Sequence, residues 1–279
     1  MIRVKIVTGK YWGREYRRDL PLSFAEVPQS RLCSLIRVLL QSDENRIFAA
    51  EVLLDLPRAI LALIPAEDWG WILYNMEWCK LEPSAIRPRP YFVHNGLQYW
   101  FPADNFQNGT CLEFALADDF YNEYAESGDR SDLLKLVATL CREKKQSLSE
   151  RLETGDNRIA LQSRAEVEAR AHRLDTLPEE LAALVLFYFA GVKKLIAEIY
   201  GEWLFDSEDE TEKPTKATAK SGPMFGWWSV FFDMAENITN LQTVYNTSFH
   251  TLCMMLVEKR KRAEEQEMRA KLARPDFAQ

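Results

Sequence analysis

Residues 181–192 limit the folds available to this chain more than any other segment. They read Leu-Ala-Ala-Leu-Val-Leu-Phe-Tyr-Phe-Ala-Gly-Val and contain no charged side chain. The capping-box pattern Thr-Leu-Pro-Glu at 176–179 marks a helix start just before them. The run is too short to span a bilayer and is followed by Lys193 and Lys194. A helix that is apolar on nearly every face must be surrounded by other elements, so we predict a central buried helix that continues to about Leu204.

Helical spacing of apolar residues also recurs outside this segment. Leu32, Leu35, Ile36 and Leu39 share one face of a predicted helix. Further helices are predicted at 46–54, 59–64, 67–81, 110–124 and 131–140. Glycine is scarce, with 11 residues in a chain of 279, which favours helix over sheet. The fold class that follows is mainly α, a helical bundle.

Two segments instead follow the patterns of strands. Ile2, Val4 and Ile6 alternate with charged residues, which predicts an N-terminal strand with one buried face. At 91–101 the chain reads Tyr-Phe-Val-His-Asn-Gly-Leu-Gln-Tyr-Trp-Phe, and Asn-Gly between apolar runs is typical of a type I′ hairpin turn. The helical bundle therefore carries a minor antiparallel β element, made of the N-terminal strand and an aromatic hairpin.

Changes in composition divide the chain into regions. An acidic stretch rich in Lys, Thr and Ser, with little apolar surface to bury, predicts a flexible linker before the last region. In order, the regions are a mixed helical region with the small β element at 1–145, a polar connection at 146–175, the buried helix at 176–205, the acidic linker at 206–224 and a long C-terminal amphipathic helix, packed on the preceding helices, at 225–279.

The C-terminal helix begins with four large aromatic residues, which are Trp227, Trp228, Phe231 and Phe232. Apolar residues then recur in steps of three and four as far as Leu256, which predicts one continuous helix. The polar residues from Glu258 to Arg269 are expected to project as a charged, solvated tail. Two interpretations of the four rings stay open: they fill the core, or they bind an apolar helix of a partner protein in a groove.

Charge and cysteine content restrict the ligands. The net charge of −7 argues against binding to a nucleic-acid backbone, which needs clustered Lys and Arg. The five cysteines are widely spaced and form no C-x-x-C pair, so neither a disulfide framework nor a zinc site is indicated. We predict a cytoplasmic protein with no cofactor, no metal and no membrane association.

No residue pattern predicts a catalytic centre. The three histidines, His94, His172 and His250, are scattered; we expect His94 to be exposed at the hairpin turn and His250 to lie at the core boundary. No nucleotide-binding glycine motif occurs. The carboxylates of one predicted helix are interpreted as solvated positions on its polar face; they are Glu113, Asp118, Asp119 and Glu123.

Several segments together resemble a known class of proteins. They are Asn-Gly-Thr-Cys-Leu-Glu-Phe at 108–114, Leu-Leu-Lys-Leu-Val-Ala-Thr-Leu-Cys-Arg at 133–142, and Trp228 with Ala-Glu-Asn at 235–237. Over residues 91–142 and 176–260 the chain resembles tailed-phage and prophage proteins of the tail-assembly or tape-measure chaperone type. The resemblance implies a non-enzymatic protein that shields a long, aggregation-prone tail component during virion assembly.

The function predicted from these observations is a protein-binding assembly factor of phage or prophage origin. Trp227, Trp228, Phe231 and Phe232 would contact an apolar helical tail protein. A structural subunit of a phage tail or injection apparatus is the alternative, and a soluble enzyme is the third possibility.

Overall fold

The computed structural model describes residues 1–7, 15–41, 46–147, 149, 155–204 and 226–273. It is 63% helical with small antiparallel sheets, which confirms the predicted mainly α class. The helices are α1 (Gln29–Gln41), α2 (Arg46–Leu54), α3 (Arg58–Leu61), α4 (Ala66–Asn75), α5 (Cys111–Ser127), α6 (Arg130–Leu140), α7 (Arg164–Arg173), α8 (Glu179–Leu204), α9 (Gly226–Ala235), α10 (Leu241–Asn246) and α11 (Phe249–Ala273).

The strands form two separate sheets rather than one. In the first, β1 (Ile2–Val7) pairs antiparallel with β2 (Glu15–Leu20), a strand that was not predicted. In the second, β3 (Tyr91–His94) and β4 (Leu97–Trp100) form the predicted hairpin, and β5 (Arg142–Glu143) pairs with β4. Asn95 and Gly96 both have positive φ, at 48° and 77°, as a type I′ turn requires.

Helix α8 has the central position that its apolar sequence predicts. It packs against α1, α6 and α11, and Val185, Phe189 and Val192 are completely buried. At Gly191 the loop before β3 crosses the helix so closely that a Cβ atom would lie 2.1 Å from the backbone carbonyl carbon of Ser84. Only glycine permits this crossing, because any larger residue would collide with backbone atoms that cannot move aside.

A cluster of aromatic rings joins four helices in the core. The ring of Phe114 in α5 stacks on that of Phe249 in α11, with centroids 3.7 Å apart. Trp227 of α9 contacts Phe114 edge to face, with ring centroids 5.4 Å apart, and the ring centroid of Phe189 in α8 lies 5.6 Å from that of Phe114. The cluster fixes the C-terminal helices on the earlier part of the chain.

The prediction of one continuous helix from residue 225 was wrong, because the chain forms α9, α10 and α11 instead. Glu236 has a φ of 57°, which ends α9. Before α11, the Cys111 N–H donates to the Thr247 carbonyl and the Phe249 N–H donates to that of Gly109, both at 3.0 Å. These bonds hold the backbone extended, and helical spacing in the sequence does not reveal them. The predicted linker at 206–224 lies outside the described residues.

Candidate functional site

A cleft of 480 Å³ separates the segment after α4 from the middle of α8. This volume lies within the range of roughly 300–1,000 Å³ that is usual for ligand-binding pockets. One wall comes from the turn before α1 and from residues 77–88, and the other comes from residues 184–188. The large apolar side chains on these walls are Phe24, Trp78, Leu81, Ile86, Leu184 and Phe187.

Trp78 gives the cleft a polar group with no partner. Its indole Nε1 is buried and has no hydrogen bond within the part of the chain that the structure describes. The edge-to-face contact with Phe24, at 5.0 Å between ring centroids, fixes the orientation of the indole. A buried donor without an acceptor costs free energy.

Charged side chains surround this apolar interior. The Glu77 carboxylate contacts Lys80 Nζ at 3.1 Å and Arg46 Nη1 at 2.7 Å, and these bonds lower its pKa. The Arg87 backbone N–H donates to Asp104 Oδ1 at 3.0 Å. An apolar interior with a charged rim suits a ligand that is itself apolar on one side and polar on the other.

The wall on α8 is held in place by its own contacts. The Tyr188 hydroxyl donates to the Ala103 carbonyl at 2.7 Å, and burial raises the pKa of this tyrosine. The Ser84 N–H donates to the Phe187 carbonyl at 3.3 Å, next to the close crossing at Gly191. Both bonds tie the loop segments that flank the cleft to the central helix, so the cleft is built on a fixed element.

The aromatic residues that the sequence singled out lie elsewhere. Trp227 and Phe231 are buried, with 5% and 0% of their surface exposed. Phe231 packs against Trp228 and Tyr245, with ring centroids 6.0 Å apart in each pair. These rings hold α9 and α10 on the core, as the first of the two interpretations expected.

Trp228 and Phe232 are more accessible than the other two rings. Trp228 is half-buried, and its Nε1 donates to Asp119 Oδ2 at 2.9 Å. Burial raises the pKa of Asp119, and the bond from Trp228 partly opposes this rise. Phe232 is 56% exposed. Of the four predicted partner-binding residues, Phe232 alone presents most of its side chain to solvent.

A buried cluster of charges connects α5 to the segment after β5, and the sequence analysis missed it. Glu113 was expected on a solvated face but is completely buried. Its carboxylate accepts hydrogen bonds from Arg142 Nη2 at 2.8 Å and from Arg158 Nη2 at 3.1 Å, and Arg158 Nη1 contacts its second oxygen. Both arginines are buried as well, although Arg158 lies in the predicted polar connection at 146–175.

Asp156 completes this charge cluster. Arg158 donates to its carboxylate through Nε and Nη2, both at 3.0 Å, and donates to the Leu140 carbonyl at 2.8 Å. Burial acts to raise the pKa of Asp156, but Arg158 and Arg142 outweigh it and the pKa is lowered. Burial and the charge of Arg158 lower the pKa of Arg142 to about 10. Two positive and two negative groups therefore balance inside the protein.

Another carboxylate of α5 is also paired rather than solvated. Asp118 is 7% exposed and lies 2.6 Å from Lys193 Nζ of α8. Lys193 also donates to the Asn122 side chain at 3.2 Å. These contacts join the two helices, and they give Asp118 a partner that the sequence pattern did not indicate.

The histidines do not meet one another. His94 is buried, with Nε2 3.3 Å from Thr176 Oγ1, and burial lowers its pKa. The expected exposed position was wrong because His94 shares the inner face of β3 with Phe92. His250 bridges the Tyr200 hydroxyl at 3.0 Å and the Asn105 carbonyl at 2.7 Å, while His172 is exposed. His250 thus has the boundary position that was expected.

Three further observations describe the molecule. Within the described residues, no group of three or more His, Cys, Asp or Glu side chains is placed to hold a metal ion. All five cysteines are free. None of the helices in the described ranges is both long enough and apolar enough to cross a membrane.

Comparison of the chain with models of known protein families, with curated proteins and with solved structures found no match.

Proposed function

We propose that this protein is a protein-binding assembly factor that holds an apolar helical segment of a partner polypeptide in the 480 Å³ cleft. The observation that carries the proposal is the apolar cleft with its charged rim. Such grooves bind amphipathic helices, whose apolar side chains enter the groove while polar ones contact the rim.

The groups in and around the cleft define the chemistry of the partner. Large apolar side chains of the partner would contact Trp78, Ile86 and Phe187. Lys80, Glu82 and Arg87 at the rim would face charged residues beside the apolar stripe of the partner.

The resemblance to tape-measure chaperones supplies the class of partner. It suggests a long helical tail protein of a phage or prophage, bound in the cytoplasm of the bacterial host before assembly. Under this proposal the cleft contacts the partner, and Trp227, Trp228 and Phe231 hold α9 on the body of the protein. Phe232 remains an accessible apolar residue outside the cleft.

Two matched isoleucine variants test the role of the cleft. Ile86 lines it and is 56% exposed, whereas Ile238 is 82% exposed and lies outside its lining. Both side chains face solvent, so replacement by aspartate leaves the core intact. In pull-downs with a coexpressed long coiled-coil tail protein, we expect wild type and Ile238→Asp to retain the partner and Ile86→Asp to lose it.

Absence of retention by wild type, or equal retention by the two aspartate variants, would overturn the proposal. Mass spectrometry of purified particles distinguishes the two roles in assembly. An assembly factor is absent from the particles, whereas a structural subunit remains in them.

A further inference from the structure

One face of α4 is exposed and carries two large aromatic side chains. Trp71 and Tyr74 are 44% and 77% exposed. They lie three positions apart, so both rings stand on the same side of the helix. Neither ring contacts another aromatic ring or a cation among the described residues. Exposed Trp and Tyr side chains are typical of binding surfaces, because each combines a large apolar ring with a polar group.

A carboxylate lies on the same face, one turn before Trp71. Glu67 is exposed and precedes Trp71 by four positions, which makes the two side chains neighbours on the helix surface. Its carboxylate forms no hydrogen bond or ion pair with any residue that the structure describes. Asp68 is equally unpaired there, but it lies about 100° further round the helix. The face therefore combines open aromatic rings with a negative charge to which the described chain offers no cation.

Gly70 leaves an open space between these groups. It follows Glu67 by three positions and precedes Tyr74 by four, so it belongs to the same face. A Cβ atom on Gly70 would have no atom of the described residues within 4 Å, its two neighbours in the chain apart. Glycine is among the least favourable residues in the interior of a helix. Packing within the described chain does not account for a glycine here, whereas a side chain that enters from outside would use the space.

We propose that this face of α4 binds an arginine side chain of a protein partner. The guanidinium group lies above Gly70, against the two rings, and donates hydrogen bonds to the Glu67 carboxylate. A guanidinium group suits this position because it is planar, so it stacks on aromatic rings and pairs with a carboxylate at the same time. A lysine ammonium group lacks the planar surface, and an apolar side chain would leave the carboxylate without a counter-charge. None of the residues of this face lines the 480 Å³ cleft, so the inference does not depend on the function proposed for the cleft.

Titration of the full-length chain with short peptides tests the chemistry of the ligand. The probe is the peptide acetyl-Leu-Arg-Leu-amide. Its counterparts contain lysine, which keeps the charge but not the plane, or citrulline, which keeps the plane but not the charge. NMR spectra of protein labelled with ¹⁵N-tryptophan report the indole N–H of Trp71, and a Trp71→Phe variant identifies this signal. We expect the arginine peptide to shift the signal with a dissociation constant in the millimolar range, because an exposed cation–π contact and an exposed ion pair each contribute about fivefold or less. An equal effect of the lysine or citrulline peptide, or no effect of the arginine peptide, would refute the proposal.

Three variants test the residues of the face with the same arginine peptide. Glu67→Gln removes the carboxylate charge, and we expect about three- to fivefold weaker binding. Asp68→Asn is the matched control, since it removes the same charge from the same turn but away from the aromatic face, so binding should stay within about twofold of wild type. Gly70→Leu fills the open space and should abolish the shift of the Trp71 signal. Its melting temperature should not fall, because leucine favours the helix and has room at this position. Equal weakening by Glu67→Gln and Asp68→Asn, or unchanged binding by Gly70→Leu, contradicts the proposed arrangement.

Discussion

The buried charge cluster of Glu113, Arg142, Arg158 and Asp156 makes a quantitative prediction about stability. Glu113→Gln keeps the size of the side chain but removes its negative charge. Arg142 and Arg158 would then share the single carboxylate of Asp156, and one buried positive charge would have no counterpart. Breaking a buried ion pair in this way costs about 3–5 kcal/mol.

Arg142→Met is expected to cost a similar amount, about 3–5 kcal/mol, because Glu113 and Asp156 would then share the single positive charge of Arg158. Glu113 keeps both contacts with Arg158 in this variant, and the Arg142 Nε atom has no hydrogen bond to lose. The variant also loses the bond to Glu113 at 2.8 Å and the one to the Ile159 carbonyl at 2.9 Å.

Combining the two substitutions tests whether charge balance explains the cost. The double variant Glu113→Gln/Arg142→Met leaves Arg158 paired with Asp156 through two bonds of 3.0 Å, and the buried charge returns to zero. The two single costs should therefore not add. We expect the double variant to be more stable than their sum predicts by at least about 1 kcal/mol.

Urea unfolding, followed by circular dichroism and tryptophan fluorescence, gives the four free energies of unfolding that this cycle needs. Arg164→Met is a suitable control, because Arg164 forms an ion pair with Glu123 at the surface and its loss should change stability by less than about 1 kcal/mol. Additivity within about 0.5 kcal/mol, or a Glu113→Gln cost no larger than the control, would refute the reasoning from charge balance.

Two further predictions concern Asp156 and Trp228. In the folded protein the pKa of Asp156 is below its usual 3.8. Its ionised carboxylate therefore stabilises the fold fully above pH 3.8, and this contribution is lost as the pH falls through the folded-state pKa. Asp156→Asn should flatten the decline of unfolding free energy measured between about pH 4 and pH 2, and an unchanged slope would contradict this assignment. Trp228→Phe removes the donor to Asp119; we expect a loss of about 1 kcal/mol and a further rise in the Asp119 pKa by NMR titration, whereas Phe232→Ala should leave that pKa unchanged.

Local patterns in the sequence predicted the elements whose geometry is determined by residues that are close together in the chain. The helix at 46–54 has the bounds expected from its apolar spacing, and the Asn95-Gly96 turn has the expected positive φ values. Thr110 caps α5 by accepting a hydrogen bond from the Glu113 N–H at 3.3 Å, as the capping-box pattern Thr-Cys-Leu-Glu at 110–113 predicts. In each case the residues that determine the geometry are close together in the chain.

Elements that depend on distant contacts were not predictable in this way. Strand β2 has the charged residue Arg18 on its inner face between Tyr16 and Leu20, so its apolar alternation is weak, and its pairing with β1 defines it. The break before α11 arises because residues 247–249 bond to the backbone at 109–111. These two segments are far apart in the sequence. The cleft could not be predicted from local patterns either, because residues 77–88 and 184–188 meet only in the folded chain.

One sequence feature did point to the buried charges. Glu113 stands between Leu112 and Phe114. It is the one polar residue in the stretch from Cys111 to Ala117, and all residues of this stretch are buried. A helix surface with no polar side offers such an acid no route to water, so it requires a buried cation. The identity of that cation could not follow from the sequence, because Arg158 is 45 positions away.

The aromatic residues at 227–232 illustrate the opposite case, in which a strong local pattern has two physical explanations. A dense group of rings must be covered, but its sequence does not state whether the cover is the same chain or another protein. Here Phe114 and Phe249 cover Trp227, and Tyr245 covers Phe231, so the chain supplies the cover itself. The indole N–H of Trp78 is likewise covered by the chain but has no acceptor among the described residues, and no dense aromatic motif marks it in the sequence.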